Sequence, residues 1–328
     1  MKAIVLTKYG TANDLQLEER ETPTPGNHEV LVKIHASSVN SWDWDLIQGI
    51  PFANRAMFGL FKPKTGKIGI DIAGRVETVG KSVTRLQSGD EVFGDISACG
   101  MGAFAEYLCV SEKALSRKPA SLTFQQAAAI PHTATLAWQG LVDKGNIQEG
   151  MKVLINGAGG GAGSFGVQIA KQVGAEVTAV DSPEKLDMLR SIGADHVIDY
   201  TKEDFTKDGA IYDLILDVVT YRSIFDYKRA LAPKGRYVML GGGSYNRVYQ
   251  TALLGPLISI AGNKKMGILM HEPNKGLDQV TELLENGKVV PVIDKCYPLS
   301  KAAVALSYFG SGQARGKVII TMEHAEED

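Results

Sequence analysis

The sequence predicts an α/β protein: a doubly wound parallel sheet set between two pieces of a β-rich domain. Three observations point there. Strands and helices alternate regularly from about Lys152, the stretch before Thr123 reads as β structure, and the tail from about Pro291 returns to strand character. A chain of 328 residues is also too long for one ordinary core, so two domains are expected.

In the first third, Val30–His35 is a short β-rich run and Ile68–Val79 is dense in Gly, Ile and Val. Gly89-Asp90 signals a turn before Glu91-Val92-Phe93, and Ala103–Val110 is a further strand candidate. Near Thr123 the texture changes to the helix formers Gln125–Ala129, followed by the breaker Pro131. The regular part then opens with a buried strand, Val153-Leu154-Ile155, and an apolar-periodic helix, Ser164–Val173, closed by Gly174. Val177–Val180 is the next strand, after which Ser182-Pro183-Glu184-Lys185 starts a helix with Ser as its cap. His196–Ile198, Leu214–Asp217 and Tyr237–Leu240 continue the strand series, and Lys317–Thr321 is the clearest strand of the tail. The expected boundaries are 1–123, 124–270 and 271–328.

Composition narrows the function classes. Hydrophobic residues at 44% and charged residues at 22% describe a soluble globular chain. A formal charge of -2 provides no basic field, so neither nucleic acid nor an anionic membrane is an expected partner. The longest apolar stretches, such as Thr251–Ile260, hold Gly and Pro and are too short to span a bilayer, and the opening Met1–Leu6 is too brief for a signal peptide. Cys99, Cys109 and Cys296 show no CxxC spacing, which suits a reducing cytoplasm and offers no zinc cluster.

The chemistry begins at Asn156-Gly157-Ala158-Gly159-Gly160-Gly161-Ala162-Gly163, between a strand and a helix. Small residues there let backbone N–H groups approach a pyrophosphate at the positive end of the helix. The register Ala158-x-Gly160-x-x-Gly163 puts the turn directly after the strand. A second strand ending in Asp181 completes the spacing of a dinucleotide-binding, Rossmann-type unit. Asp181 could accept hydrogen bonds from both ribose hydroxyls, which favours NADH. Ser182, Lys185 and Tyr200 could instead hold a 2′-phosphate, which favours NADPH, the preferred expectation. Val218 after the fourth strand and Gly241 after the fifth lie in loops that face the ligand crevice.

These stretches, with Gly69-Ile70-Asp71-Ile72-Ala73-Gly74, Gly102–Tyr107, Ile130-Pro131 with Ala137-Trp138, Ser191–Tyr200 and Arg315-Gly316-Lys317-Val318, span nearly the whole chain in order. Together they resemble the medium-chain dehydrogenase/reductases, in their zinc-independent, NAD(P)H:quinone oxidoreductase-like branch. The resemblance implies that the β-rich pieces form a GroES-like catalytic domain, that Lys317 reaches the cofactor phosphates, and that the protein is a homodimer. Zinc-dependent relatives carry a ligand Cys where this chain has Asn40 and a His where it has Ile70, and their third ligand would fall near His132. A metal-free enzyme is therefore expected, reducing a quinone or an activated, α,β-unsaturated carbonyl. Asn40 can donate to a carbonyl without changing charge, and Asp43, three residues on, can orient a donor or relay a proton. Related quinone reductases often place a Tyr where this chain has Asp45. Trp42 and Trp44 are either pocket lining or core, and the stretches Gly49–Lys67 and Tyr245–Pro256 are expected as loops rimming a small-molecule pocket. The alternatives are a zinc-type alcohol dehydrogenase homologue that lost its metal, and an NADPH-binding sensor or structural protein with little turnover.

Overall fold

The computed structural model describes residues 1–52, 54–207, 209 and 211–324. In chain order the strands are β1 (Lys2–Leu6), β2 (Leu15–Glu19), β3 (Glu29–Ser38), β4 (Asp71–Val79), β5 (Glu91–Asp95), β6 (Tyr107–Ser111), β7 (Ser116–Arg117), β8 (Lys152–Asn156), β9 (Glu176–Asp181), β10 (His196–Asp199), β11 (Tyr212–Asp217), β12 (Leu231–Met239), β13 (Lys265–Ile268), β14 (Ile293–Pro298) and β15 (Lys317–Thr321). The helices are α1 (Ser41–Gln48), α2 (Asn54–Phe58), α3 (Phe124–Ala128), α4 (Pro131–Trp138), α5 (Gly161–Gln172), α6 (Leu186–Ser191), α7 (Ile224–Ala230), α8 (Tyr245–Ala261), α9 (Leu277–Glu285) and α10 (Ala302–Gly310).

Two compact units form: Met1–His132 with Ile293–Asp328, and Thr133–Val292. In the first, the strands run in the order β14-β15-β3-β4-β5-β7, with β6 also paired to β3. Its core joins both ends of the chain: Ile4, Val32, Ile34, Ile70 and Phe104 bury with Leu299, Leu306, Val318 and Ile320. The antiparallel pairing among β3 to β7 and the alternating burial of β6 go with period-2 patterning and one face inward, while β3, paired on both sides, buries most of its residues.

The second unit is a six-stranded, wholly parallel sheet in the order β10-β9-β8-β11-β12-β13. Numbered from its own first strand this is 3-2-1-4-5-6, the doubly wound Rossmann order. Its ligand crevice lies where the order reverses, outside the C-terminal ends of β8 and β11. Val153, Leu154 and Ile155 of β8 and Leu214, Ile215 and Leu216 of β11 are fully buried, as a strand covered on both faces requires.

The units meet at 132/133 and 292/293, whereas the sequence suggested 123/124 and 270/271. At the first junction Phe124 stacks on His35 at 4.2 Å between ring centres, which ties α3 to β3. At the second, residues 271–290 bond back into the parallel unit. The Gln139 amide donates to Glu272 O and Lys275 O, and Gln168 exchanges two hydrogen bonds with Val290.

The stretch expected as a loop at Tyr245–Pro256 is part of α8, with Gly255 and Pro256 inside the helix. Those two residues and an apolar run without clear periodicity concealed it. Gly255 is required by close approach, since a side chain there would meet the Met266 carbonyl. The other expected rim, Gly49–Lys67, carries the short helix α2; its residue 53 lies outside the described residues. Among the described residues no helix is long and apolar enough to cross a membrane.

Candidate functional site

In the parallel unit the glycine-rich turn follows β8 immediately. Gly157 has φ +77°, which needs glycine, and Gly160 is the N-cap of α5. A Cβ on Gly160 would meet only Gly157 O, at 3.7 Å, so the space above the helix N-terminus is open. A Cβ on Gly163 would instead run into Gly157 O and, at 2.5 Å, Ala158 Cα, so this glycine lets helix and turn pack closely. Ala158 is buried, and Gly159, Gly161 and Ala162 complete the small-residue run over the first turn of α5. This cradle fits a pyrophosphate: small residues, an open approach and a helix N-terminus with unpaired N–H groups.

Asp181, Ser182, Lys185 and Tyr200 come together at the ends of β9 and β10, because Asp199 pairs in register with Asp181. The Asp181 carboxylate turns inward. It accepts the Gly159 N–H at 2.7 Å and the Ser182 N–H at 2.9 Å, with Lys185 Nζ at 3.4 Å. Ser182 caps the turn that follows, with Pro183 at its first position. The Tyr200 ring is exposed. On the other side of the reversal point, Asp217 accepts hydrogen bonds from Asn156, Thr220 and Tyr237, each at 2.7–2.8 Å. Burial raises its pKa, against the lowering effect of those donors. This strut holds the Val218–Thr220 loop. Ser244 N–H donates to Thr220 O, and Gly242 and Gly243 back closely onto Val218 O and Thr220 O. Gly241 has φ +136° with open space at its Cα.

In the antiparallel unit five segments converge on one buried polar knot. Asn40 caps α1, and Asp43 accepts the Asn40 N–H through one oxygen and the Gly69 N–H through the other, both at 2.9 Å. Burial pushes the Asp43 carboxyl up to about 7, against those two N–H donors. Asp43 thus clamps the start of α1 to the Gly69 turn. That amide is oriented without ambiguity. Its oxygen accepts Lys317 Nζ at 2.7 Å, and its nitrogen donates to Asp71 at 2.9 Å and to Ser38 O at 3.2 Å. Ser38 Oγ also donates to Asp71, at 2.7 Å.

The resemblance led Lys317 to be read as reaching the cofactor phosphates. Its side chain is 2% exposed, and its ammonium bonds Asn40, Val39 O and, at 3.7 Å, Asp71. The first position of β15 points inward, and burial lowers its pKa against the raising effect of Asp71. Asp71 and Asp95 were not singled out from sequence. Their signal was a carboxylate inside, or ending, an apolar strand, where only a partnered charge survives. Asp95 holds His132 Nδ1 at 2.8 Å, and Asp71 accepts the His132 N–H at 2.9 Å. Trp44 packs on Gly310 in the core, whereas Trp42 is exposed and lines a shallow recess with Tyr9, Leu46, Arg55 and Phe58.

Zinc does not fit this knot. Asn40 is committed to Lys317 and Asp71, Ile70 is an apolar core residue, and the three cysteines are separate and unpaired.

Comparison with known proteins agrees with this architecture. Residues 26–120 match the alcohol dehydrogenase GroES-like domain family, and residues 192–320 match the family described as zinc-binding dehydrogenase. A 2-methylene-furan-3-one reductase of Solanum lycopersicum is 35% identical over 98% of this chain and 79% of its own length. An NADPH-dependent alkenal/one oxidoreductase of Arabidopsis thaliana is 33% identical with the same coverage. The solved quinone oxidoreductase of Coxiella burnetii superposes with a TM-score of 0.87 at 28% identity, over 98% of this chain and 99% of that one. Fold and site therefore define a nicotinamide-dependent oxidoreductase with GroES-like and Rossmann domains. The chain belongs to the medium-chain dehydrogenase/reductase superfamily, in its quinone oxidoreductase-like branch.

Proposed function

We propose that this protein uses NADPH to reduce an activated carbon–carbon double bond or a quinone, without metal. The observation that carries the reading is the Asn40 amide, fixed between Lys317 and Asp71 where zinc-dependent relatives carry a ligand cysteine. Bound at the Gly157–Gly163 turn, with Val218 and Gly241 beside its nicotinamide end, the reduced cofactor supplies the hydride. The Asn40 hydrogen that faces Ser38, with the nitrogen 3.2 Å from Ser38 O and 3.4 Å from its Oγ, is the one an acceptor carbonyl takes over. Asp43 positions Asn40 through the cap. Lys317 acts on the amide, not on cofactor phosphates.

NADPH is preferred because the Asp181 charge is already satisfied by two backbone N–H groups and Lys185, with Ser182 and Tyr200 alongside. The names of the tomato and Arabidopsis relatives point to conjugated carbonyls as acceptors. Fluorescence titration with NADPH and NADH, followed by turnover with a panel of quinones and enones, tests this. Consumption of NADPH with none of them refutes it and favours a cofactor-binding protein without turnover. That second reading draws on the saturation of the whole knot by its own members.

A homodimer is proposed from Tyr249, Leu253, Leu257 and Ile260, an exposed apolar stripe along α8, beside the edge strand β13. A cytoplasmic location is proposed from three unpaired cysteines, two of them exposed.

A further inference from the structure

Asn156 ends β8, directly before the glycine-rich turn, and it grips three successive residues of the neighbouring strand end. Its amide nitrogen donates to Asp217 Oδ1 at 2.8 Å and to Val219 O at 2.9 Å, and its carbonyl accepts the Val218 N–H at 2.9 Å. The Tyr227 hydroxyl lies 3.3 Å from the same nitrogen. Asp217 sits in register with Asn156, so strand pairing accounts for the main-chain bond alone. A donor that only tied the two strand ends together would be satisfied by Asp217. The second amide bond goes further and fastens Val219, which lies past the end of the sheet.

Packing reinforces that bond. A Cβ on Gly157 would come within 2.6 Å of Val219 Cγ2, so the first residue of the turn rests against the Val219 side chain. On the far side Gly242 and Gly243 back closely onto Val218 O and Thr220 O, and the Ser244 N–H donates to Thr220 O at 2.8 Å. The Val218–Thr220 loop is thus held between two glycine turns. Each turn also borders free space: a Cβ on Gly160 would meet only Gly157 O, at 3.7 Å, and one on Gly241 would meet nothing within 4 Å. All of these residues belong to the parallel unit, at the C-terminal strand ends where the sheet order reverses.

We propose that Asn156 is a positioning residue for hydride transfer, setting the spacing between the pyrophosphate turn and the loop that receives the nicotinamide. The proposal rests on the proposed binding of the reduced cofactor in this crevice. Asn156 acts through Val219. A dinucleotide held at both places has its reactive end located by the distance between them, and a shift of ~1 Å in a reacting geometry costs on the order of 100-fold in rate.

The test compares NADPH with 2′-phospho-ADP-ribose, which keeps the pyrophosphate and lacks the nicotinamide. Asn156→Ala removes both side-chain bonds and leaves the main-chain bond to Val218. By calorimetric titration NADPH affinity should fall roughly 2- to 12-fold, the ratio for one hydrogen bond, while 2′-phospho-ADP-ribose changes less than about twofold. At saturating NADPH, kcat should drop about 10- to 100-fold, and the isotope effect from NADPH deuterated at the transferred position should rise. If the enzyme prefers NADH, then NADH and ADP-ribose form the corresponding pair. Equal losses for both ligands, or no loss for either, overturn the proposal and leave Asn156 a tie between strand ends. If Asn156→Ala does not fold, Val219→Ala serves, since it keeps the hydrogen bonds and removes the methyl group that lies against Gly157. The same divergence between the two ligands is expected, and matched changes are the overturning result. A wild type that binds NADPH no more tightly than 2′-phospho-ADP-ribose also overturns the proposal. A wild type that binds both yet reduces neither quinones nor enones defeats the proposed reduction alone, and the calorimetric comparison still decides the role of Asn156.

Discussion

Gly163→Ala and Gly160→Val separate two jobs that one glycine-rich turn performs. At position 163 the added methyl group would collide with Gly157 O, and with Ala158 Cα and O at 2.5 and 2.6 Å. All three are backbone atoms of the turn, which yield less readily than side chains. Overpacking of a close-packed site costs about 1–3 kcal/mol, and rigid neighbours place this case at about 2–3 kcal/mol. For a unit of the size of Thr133–Val292 each kcal/mol shifts Tm by roughly 2–4 °C, giving a loss of roughly 4–12 °C. At position 160 the backbone is ordinary (φ -87°) and the only neighbour is at 3.7 Å, so valine costs little beyond a weaker cap, up to about 1 kcal/mol. Its branches occupy the space above the helix N-terminus, and NADPH affinity should fall roughly 5- to 150-fold, the equivalent of about 1–3 kcal/mol. Thermal melts of the two variants and fluorescence titration with NADPH give the four numbers needed. A Gly163→Ala protein that melts with wild type, or a Gly160→Val protein with wild-type affinity, refutes the assignment of these glycines.

Three further outcomes are expected. Lys185→Ala should weaken NADPH by about 1–3 kcal/mol and barely change NADH, while Asp181→Ser improves NADPH; NADPH indifferent to Lys185 together with an NADH loss at Asp181 would make this an NADH enzyme. Prolonged chelation should leave rate and Tm unchanged, which metal analysis and a melt check directly. The His132–Asp95 pair gives a pH window with a definite sign. The His132 contribution is complete below its unfolded value of 6.5 and disappears as pH rises through the raised folded value. The Asp95 contribution is present above 3.8 and disappears as pH falls through the lowered one. The Tm gap between wild type and Asp95→Asn should therefore be widest at about pH 4–6.5 and narrow above it; a gap that widens toward pH 9 would contradict the pairing.

Local pattern made the parallel unit legible. Buried strands, a glycine run and a carboxylate at the next strand end are all short-range features, so the turn after β8 and the cluster at Asp181 could be located within a residue or two. The knot in the other unit was only half legible. Asn40 and Asp43 stood out because Asn40 occupies the position of a zinc-ligand Cys in the relatives the chain resembles, with a carboxylate three residues on. Their partner Lys317 is 277 residues from Asn40, and no local rule announces that β15 will pair with β3 and turn this lysine inward. Asp71 and Asp95 were visible as residues but not as partners, since strand order decides which buried carboxylates meet. α8 escaped for the opposite reason: Gly255 and Pro256 are loop signals locally, overridden by packing of the helix on β13.

The closing of the antiparallel sheet by the tail bears on how the protein is made. Asp71 leaves the ribosome 246 residues ahead of Lys317 (317 minus 71), a lag of roughly 12 to 50 s at ordinary elongation rates. Through that interval a carboxylate destined for the interior has no ammonium to meet, and β3 lacks its β15 neighbour. The Thr133–Val292 segment is complete before the tail emerges and has its whole sheet within itself. The nascent chain therefore carries a finished nucleotide fold behind an unfinished leading half, whose exposed strand edge is the part most in need of a chaperone.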